Sequence, residues 1–340
     1  MNLFIFFYIP LITALLSLLL PRKLKYFQEI VGIIGSAFFL RYAIESFFAP
    51  EQFVNFPWFQ ISGLNFSLDL HLYEFSAFLL IFLGIFILFT TSYSTGYFRN
   101  KQISHLFFPF LQLALAASAA IVLADNLFLL LLGWEIVTLI LFYLISMGQG
   151  KSAAMAAGKT FAVLGFTDVA LLFAVFAFPL LYGSWTISEL QITLSDPFSI
   201  SLFFLIFIAA IGKAGAMPFH SWLPPACTSG PLPAVAFLPA SLDKLLGVYL
   251  LVRISLDIFI IPIGSTISII MMSIGAITIL GGVFLQVVQS ELKSLLSYCA
   301  ITQMGYILLG IGSGHPIGIA GGIFHMLNHA IYKSCLFYSV

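Results

Sequence analysis

The chain has 340 residues, 61% of them hydrophobic and 8% charged, with a mean hydropathy of +1.11. A soluble domain is about 25% charged, so this composition excludes a water-soluble globule and describes a polytopic membrane protein. Thirteen basic residues balance thirteen acidic ones, so no basic surface for nucleic acid is visible. The three cysteines, Cys227, Cys299 and Cys335, lack CxxC spacing and read as small apolar packers. The sequence holds no Walker loop, GxGxxG fingerprint or haem-attachment motif, so no cofactor is expected, and any coupled redox chemistry or ATP hydrolysis belongs on another subunit.

A membrane span takes about 20 residues, and about eleven apolar segments follow one another along the chain. The first, from Leu3 to Leu20, lacks a basic start and a small-residue cleavage site and reads as a span, not as a removed signal peptide. Arg22, Lys23 and Lys25 follow it and place that loop in the cytoplasm by the positive-inside rule. A second span covers about Phe27 to Phe47. Between Glu51 and Leu72 the run NFSLDLHL alternates apolar and polar residues, the period of a strand, and predicts a short external hairpin. Further spans are expected at about 75–94, 107–123, 128–145, 161–181, a seventh ending near Pro225, 234–252, 267–288, 296–311 and 317–340. This alternation puts Arg99, Lys101, Lys151, Lys159 and Lys293 in inside loops with the first three basic residues. Glu45, Glu51, Asp69, Glu74, Asp125, Glu189, Asp196 and Asp257 fall on the opposite side.

The seventh span is broken. In GKAGAMPFHSWLPP, Lys213 follows the run LFFLIFIAAIG, and an ammonium at that depth costs about 2.5–3.5 kcal/mol on insertion scales. Pro218 then removes a backbone donor, and Pro224 and Pro225 end what helix remains, so the segment reads as a discontinuous transmembrane helix. Irregular backbone at that depth survives only against protein or a water-filled cavity, which suggests an ion path.

Setting the loop charges aside leaves Glu135, Asp168, Lys213, Asp243, Lys244 and Lys333 within the spans, with His325 and His329. Such groups in transmembrane helices are functional candidates, against the plainer readings of a structural ion pair or a lysine snorkelling to the interface. A lysine between burial, which favours its neutral form, and a carboxylate, which restores its charge, can load and release a proton as that carboxylate moves. One pKa unit is about 1.4 kcal/mol, and one charge crossing 100 mV involves about 2.3 kcal/mol, so shifts of a few units are the size transport needs. His325, His329 and Lys333 recur at i, i+4 and i+8 along one helix face and could relay protons, with Tyr332 and Asn328 as candidate neighbours. A metal site is the rival there, but no HExxH glutamate or acidic third ligand accompanies the histidines, and none is expected. Asp243 and Lys244 point about 100° apart on a helix, so one of them is expected to pair with a different helix. His220, after the break, reads equally as interfacial.

These residues carry a resemblance. GWE at Gly133 to Glu135, GKAGAMPFHSWLP from Gly212, GPLP from Gly230, ELKSLLSYCAITQMGY from Glu291 and FHMLNHAIYKSCLF from Phe324 resemble the antiporter-like, proton-conducting membrane subunits of respiratory complex I, Mrp-type antiporters and energy-converting hydrogenases. The ordered motifs cover nearly all of the chain from about Leu64. The resemblance implies an all-α membrane protein of inverted five-helix repeats, with residues 1–103 as N-terminal helices and hairpin, 104–258 as the first repeat and 259–340 as a partial second one. It also implies that Glu135 modulates the central lysine Lys213, that Asp168 is a second carboxylate, and that His325, His329 and Lys333 belong to the second half-channel. Two features depart from the family pattern. Lys244 lies nine residues before Arg253 where eight is usual, with Asp243 beside it and Pro239 where a histidine is common. The family's second broken helix also lies beyond Val340, so a fragment or a split gene is expected.

The sequence is therefore expected to encode a multi-pass subunit of the inner (plasma) membrane that moves protons for a redox-driven complex without a redox site of its own. Glu135, Lys213, Lys244, His325, His329 and Lys333 are its transfer residues, Asp168 and Asp243 secondary carboxylates, and Pro218 the helix break. Its partners would be other membrane subunits and a peripheral redox arm. The alternatives are an Mrp-type subunit exchanging Na⁺ or K⁺ for protons, and a non-transporting anchor of a hydrogenase or dehydrogenase.

Overall fold

The computed structural model describes residues 2–19, 25–61, 64–99 and 105–340. Arg22, Lys23 and Lys101, used above for orientation, lie outside the described residues. Helices run α1 Ile5–Leu19, α2 Lys25–Phe47, α3 Glu74–Tyr97, α4 Phe107–Leu123, α5 Leu127–Ser146, α6 Gly150–Tyr182, α7 Pro197–Ala214, α8 Leu223–Ser229, α9 Leu232–Phe237, α10 Asp243–Arg253, α11 Thr266–Val287, α12 Leu292–Gly312 and α13 Pro316–Tyr338. With α7 and α8, and α9 and α10, taken as halves of interrupted segments, the described residues form eleven helical segments, as expected. Eight segments are long and apolar enough to cross a membrane. The segments α1 and α4 are shorter, and α13 is diluted by His325, Asn328, His329 and Lys333.

One boundary differs. Helix α6 starts eleven residues before the expected span, so Lys151 and Lys159, assigned above to a loop, lie on its opening turns. The cause is the run KSAAMAAGKT, which is alanine-rich and helix-favouring, so the backbone stays helical where hydropathy falls. At 1.5 Å per residue α6 is about 50 Å long, some 20 Å more than a hydrocarbon core.

The chain forms two compact units, Met1–Met147 and Gly148–Val340. In the first, α1, α2 and α3 pack against α4, which packs on α5. The expected hairpin is present as antiparallel strands β1 Gln52–Ile61 and β2 Leu64–Leu72. It is pinned to the α4–α5 turn through Asp69, which is buried because its carboxylate accepts from Asn55, from Ser67 Oγ at 2.6 Å and from Asn126 Nδ2 at 3.1 Å. The Asp69 carbonyl also accepts from the Asp125 amide at 2.9 Å. Hairpin and turn therefore share one side of the unit, as the alternation of spans requires. Asp69→Ala would strand these donors, and unpaired buried groups cost about 1–3 kcal/mol. We expect a lowered melting temperature in detergent; an unchanged one would mean that the hairpin is held by its apolar face alone.

In the second unit α7 packs against α6 and α10, α12 against α11 and α8, and α13 against α9, α10 and α12. Ser268, Gly275 and Gly282 give α11 a small-residue face toward α12, where Gly275 meets the Gly305 backbone. Asp196 caps α7, accepting from the Phe198 amide at 2.9 Å and the Ser199 amide at 3.1 Å. These bonds to Ser199 hold its carboxyl below the usual range, so the cap is intact near neutral pH and is lost as pH falls through that lowered value.

Candidate functional site

The break after Lys213 is built as the sequence suggests. Gly215 takes a left-handed φ of 76°, which a residue without Cβ adopts at no steric cost, and stops α7. The Met217–Pro218 peptide is cis, and one tight turn over 219–222 leads into α8. Backbone groups freed at this depth need partners. The Gly212 carbonyl accepts from the Gly215 amide at 3.1 Å and from Trp222 Nε1 at 3.1 Å. The Ala214 carbonyl accepts from Lys244 Nζ at 2.9 Å, and the Met217 amide donates to Thr278 Oγ1 at 3.2 Å. Side chains from α10 and α11 thus supply what the interrupted helix lost. Lys213 itself is fully buried in the last turn of α7, where the negative end of the helix dipole favours a cation.

A second interruption appears where the sequence reading drew one continuous span at 234–252. Residues 238–242 form a wide π-helical turn between α9 and α10. Pro239 causes it by withdrawing an amide in mid-helix. The exposed carbonyls are covered by serines: Ser241 Oγ lies 2.8 Å from the Ala236 carbonyl and 2.7 Å from that of Phe237, and Ser334 Oγ on α13 donates to Ala236 at 3.1 Å. Helix α10 then opens with Asp243 and Lys244, both buried. It closes at Arg253, which is buried and pairs at 2.8 Å with Asp257, so that carboxylate is tied to the end of the segment and not to a free loop.

Along α13 the three spaced residues are found on one helix. His325 is half-buried, with Nε2 2.7 Å from Gln303 Oε1 on α12. His329 is fully buried, neither ring nitrogen has a hydrogen-bond partner, and its ring lies edge-on 5.4 Å from that of Tyr332. Lys333 is fully buried and donates to the Leu296 carbonyl at 3.1 Å. Asn328 is exposed and does not join them. His329 is within electrostatic reach of Lys244, Lys333 and His325, so the second unit brings α10 and α13 together as one group. Asp243 is within reach of Lys213, Lys244 and Asp168, the last buried on α6. Glu135 is half-buried on α5 of the first unit. His220 is half-buried in the turn after the break. Of the cysteines, Cys227 is buried as a packer would be, whereas Cys335 is exposed.

The neutral partners Trp222, Thr278, Gln303 and Ser334 are not legible from charge, since hydroxyls, amides and indoles occur throughout membrane helices. Nor is a polar cluster in the first unit. There Gln112 Nε2 donates to Ser36 Oγ at 2.9 Å and to the Gly32 carbonyl at 3.2 Å.

Interrupted helices holding lysines, carboxylates and histidines away from solvent define a class: mostly helical, multi-pass membrane proteins with ionisable groups buried within their apolar segments. The chain belongs to the NADH:quinone oxidoreductase/Mrp antiporter transmembrane family, whose model matches residues 124–340. It is 30% identical to NADH-quinone oxidoreductase subunit L of Buchnera aphidicola, over 99% of this chain and 56% of that one. It is 28% identical to hydrogenase-4 component B of Escherichia coli K12, over 83% of this chain and 43% of the relative. The Mrp complex from Dietzia contains a chain of similar fold, with a TM-score of 0.85 and 27% identity over 99% of this chain and 37% of that one. The chain thus spans about half the length of the curated relatives it matches.

Proposed function

We propose that this chain conducts protons as a membrane subunit of a redox-driven complex, with the electron chemistry carried by partner subunits in a peripheral arm. Glu135 and Lys213 form the charge-switch pair, Lys244, His325, His329 and Lys333 carry the proton laterally, and Asp168 and Asp243 are further carboxylates. Pro218 holds the break that brings Lys213 to the path. Residues 104–258 act as the first half-channel and 259–340 as part of the second, and the host is the plasma membrane. The observation that carries this reading is that Asp168, Lys213, Asp243, Lys244, His329 and Lys333 are each at most 1% exposed. Charges cost about 2.5–3.5 kcal/mol apiece at the centre of a membrane helix, and a protein needing only an anchor has no use for so many.

The second reading, exchange of Na⁺ or K⁺ for protons, is favoured by the likeness to the Mrp complex chain. Inverted vesicles containing the full complex separate the readings. We expect a pH-sensitive dye to report proton uptake on adding NADH or H₂ without added sodium. Uptake or release driven only by Na⁺ or K⁺ would transfer the chain to the antiporter reading, and neither response from an assembled complex would leave it an anchor.

A further inference from the structure

Among the described residues, two buried ionisable side chains have no hydrogen-bond partner on any of their polar atoms: Asp243, at both carboxylate oxygens, and His329, at both ring nitrogens. Both are fully buried, and both lie in the second unit. Their lysine neighbours differ: Lys244 Nζ is held by the Ala214 carbonyl and Lys333 Nζ by that of Leu296. Buried polar atoms are almost always hydrogen-bonded, and each exception calls for a physical reason.

The placement of Asp243 follows from helix geometry. At Gly247 α10 packs directly on the backbone of α7, since a Cβ there would lie 2.7 Å from both the Ala210 carbonyl and the Ala214 amide. Asp243 is one turn earlier on the same face, so it lies beside the end of α7, where Lys213 is the penultimate residue. Electrostatic coupling agrees. The charged and titratable groups that reach Asp243 are Lys213 from α7, Lys244 from its own helix, Asp168 from α6 and Cys227 from α8. Two ammonium groups at this range oppose binding of a further cation, which argues against a sodium site.

We propose that Asp243 is the group that takes the proton from Lys213, an inference that rests on the proton-conducting reading above. An N–H bond of the Lys213 ammonium breaks and an O–H bond forms on the Asp243 carboxylate, directly or across water, leaving a neutral amine and a neutral acid. Two opposite charges disappear together, so the step requires no net charge to be created in a low-dielectric interior. Loss of that proton to the next acceptor along the path then restores the carboxylate. The sequence thus places at the start of α10 a carboxylate that shuttles charge one turn from the withdrawn amide of Pro239.

The test uses the complete complex in native membranes. Asp243→Asn keeps the shape and removes the proton carrier, and a positioned acid–base group contributes about 10²–10⁴-fold, so pumping is expected to fall at least about 100-fold with assembly and electron transfer retained. Redox-triggered infrared difference spectra should show a protonated-carboxyl band that Asp243→Asn removes and Asp243→Glu shifts. Pumping by Asp243→Asn at the wild-type rate overturns the proposal, as does a band that Asp243→Glu leaves unshifted. The second result decides even if the Asn variant assembles poorly. Lys213→Ala serves as the reference: if it also pumps, the proton-conducting reading has failed; if it is dead while Asp243→Asn pumps, only this inference has.

Discussion

Lys213→Ala is expected to reduce proton translocation below about 1% of wild type while the complex still assembles, because one positioned acid–base group is worth about 10²–10⁴-fold. The substitution removes the cation within electrostatic reach of Asp243, where α10 packs on α7. No neighbour replaces it, since Lys244 is engaged by the Ala214 carbonyl at 2.9 Å. Taking one member from a buried charge group also destabilises by about 3–5 kcal/mol, so Lys213→Gln, which keeps most of the volume and can donate a hydrogen bond, should be measured beside it. Both variants should lose pumping, with the glutamine variant recovering more assembled protein. Vesicle acidification normalised to assembled complex is the readout, and pumping by either variant near the wild-type level would remove Lys213 from the path.

Gly247→Leu should cost the second unit its packing. A side chain at Gly247 meets the backbone of α7 at Ala210 and Ala214, and backbone atoms cannot rotate aside as a flexible side chain would. Overpacking costs about 1–3 kcal/mol and more where the obstacle is rigid. Here it also pulls Lys244 away from the carbonyl it caps. We expect little folded protein in detergent extracts and a melting temperature well below wild type. Gly158→Ala on α6 is the control: nothing lies within 4 Å of the added methyl, and helix propensity favours it by about 1 kcal/mol, so its melting temperature should hold or rise. Equal melting for the leucine variant and wild type would mean that α7 and α10 separate freely.

Much of this architecture is legible in the chain because lipid imposes strong rules. Long apolar runs separated by short polar ones read as helices, and Pro218, Pro224 and Pro225 within such a run interrupt it. The alternation in NFSLDLHL marked β2, although its partner Gln52–Ile61 carries little alternation and had to be inferred from the pairing. Two features were missed for identifiable reasons. Helix α6 continues through Lys151 and Lys159 because backbone propensity and hydropathy diverge in an alanine-rich stretch. The wide turn at 238–242 follows from the amide that Pro239 lacks, which hydropathy over 234–252 does not register. At the site, charge picked out Asp168, Lys213, Asp243, Lys244 and Lys333, which are buried, and Glu135, which is half-buried, but not the neutral groups beside them. Ser334, Thr278 and Trp222 are common in any membrane helix, and only the unfilled carbonyls and amides at the two interruptions reveal why they stand where they do.

Those capped carbonyls have a mechanical consequence. Lys244 and Thr278 hold one discontinuity from neighbouring helices and Ser334 holds the other, while Trp222 and Ser241 tie each turn to its own segment. Within the second unit the two joints are thus riveted, and the parts left to move there are the tips of lysines, acids and imidazoles. Work done on it from outside would therefore be felt as small changes of spacing between those tips, without any wholesale swing of its struts.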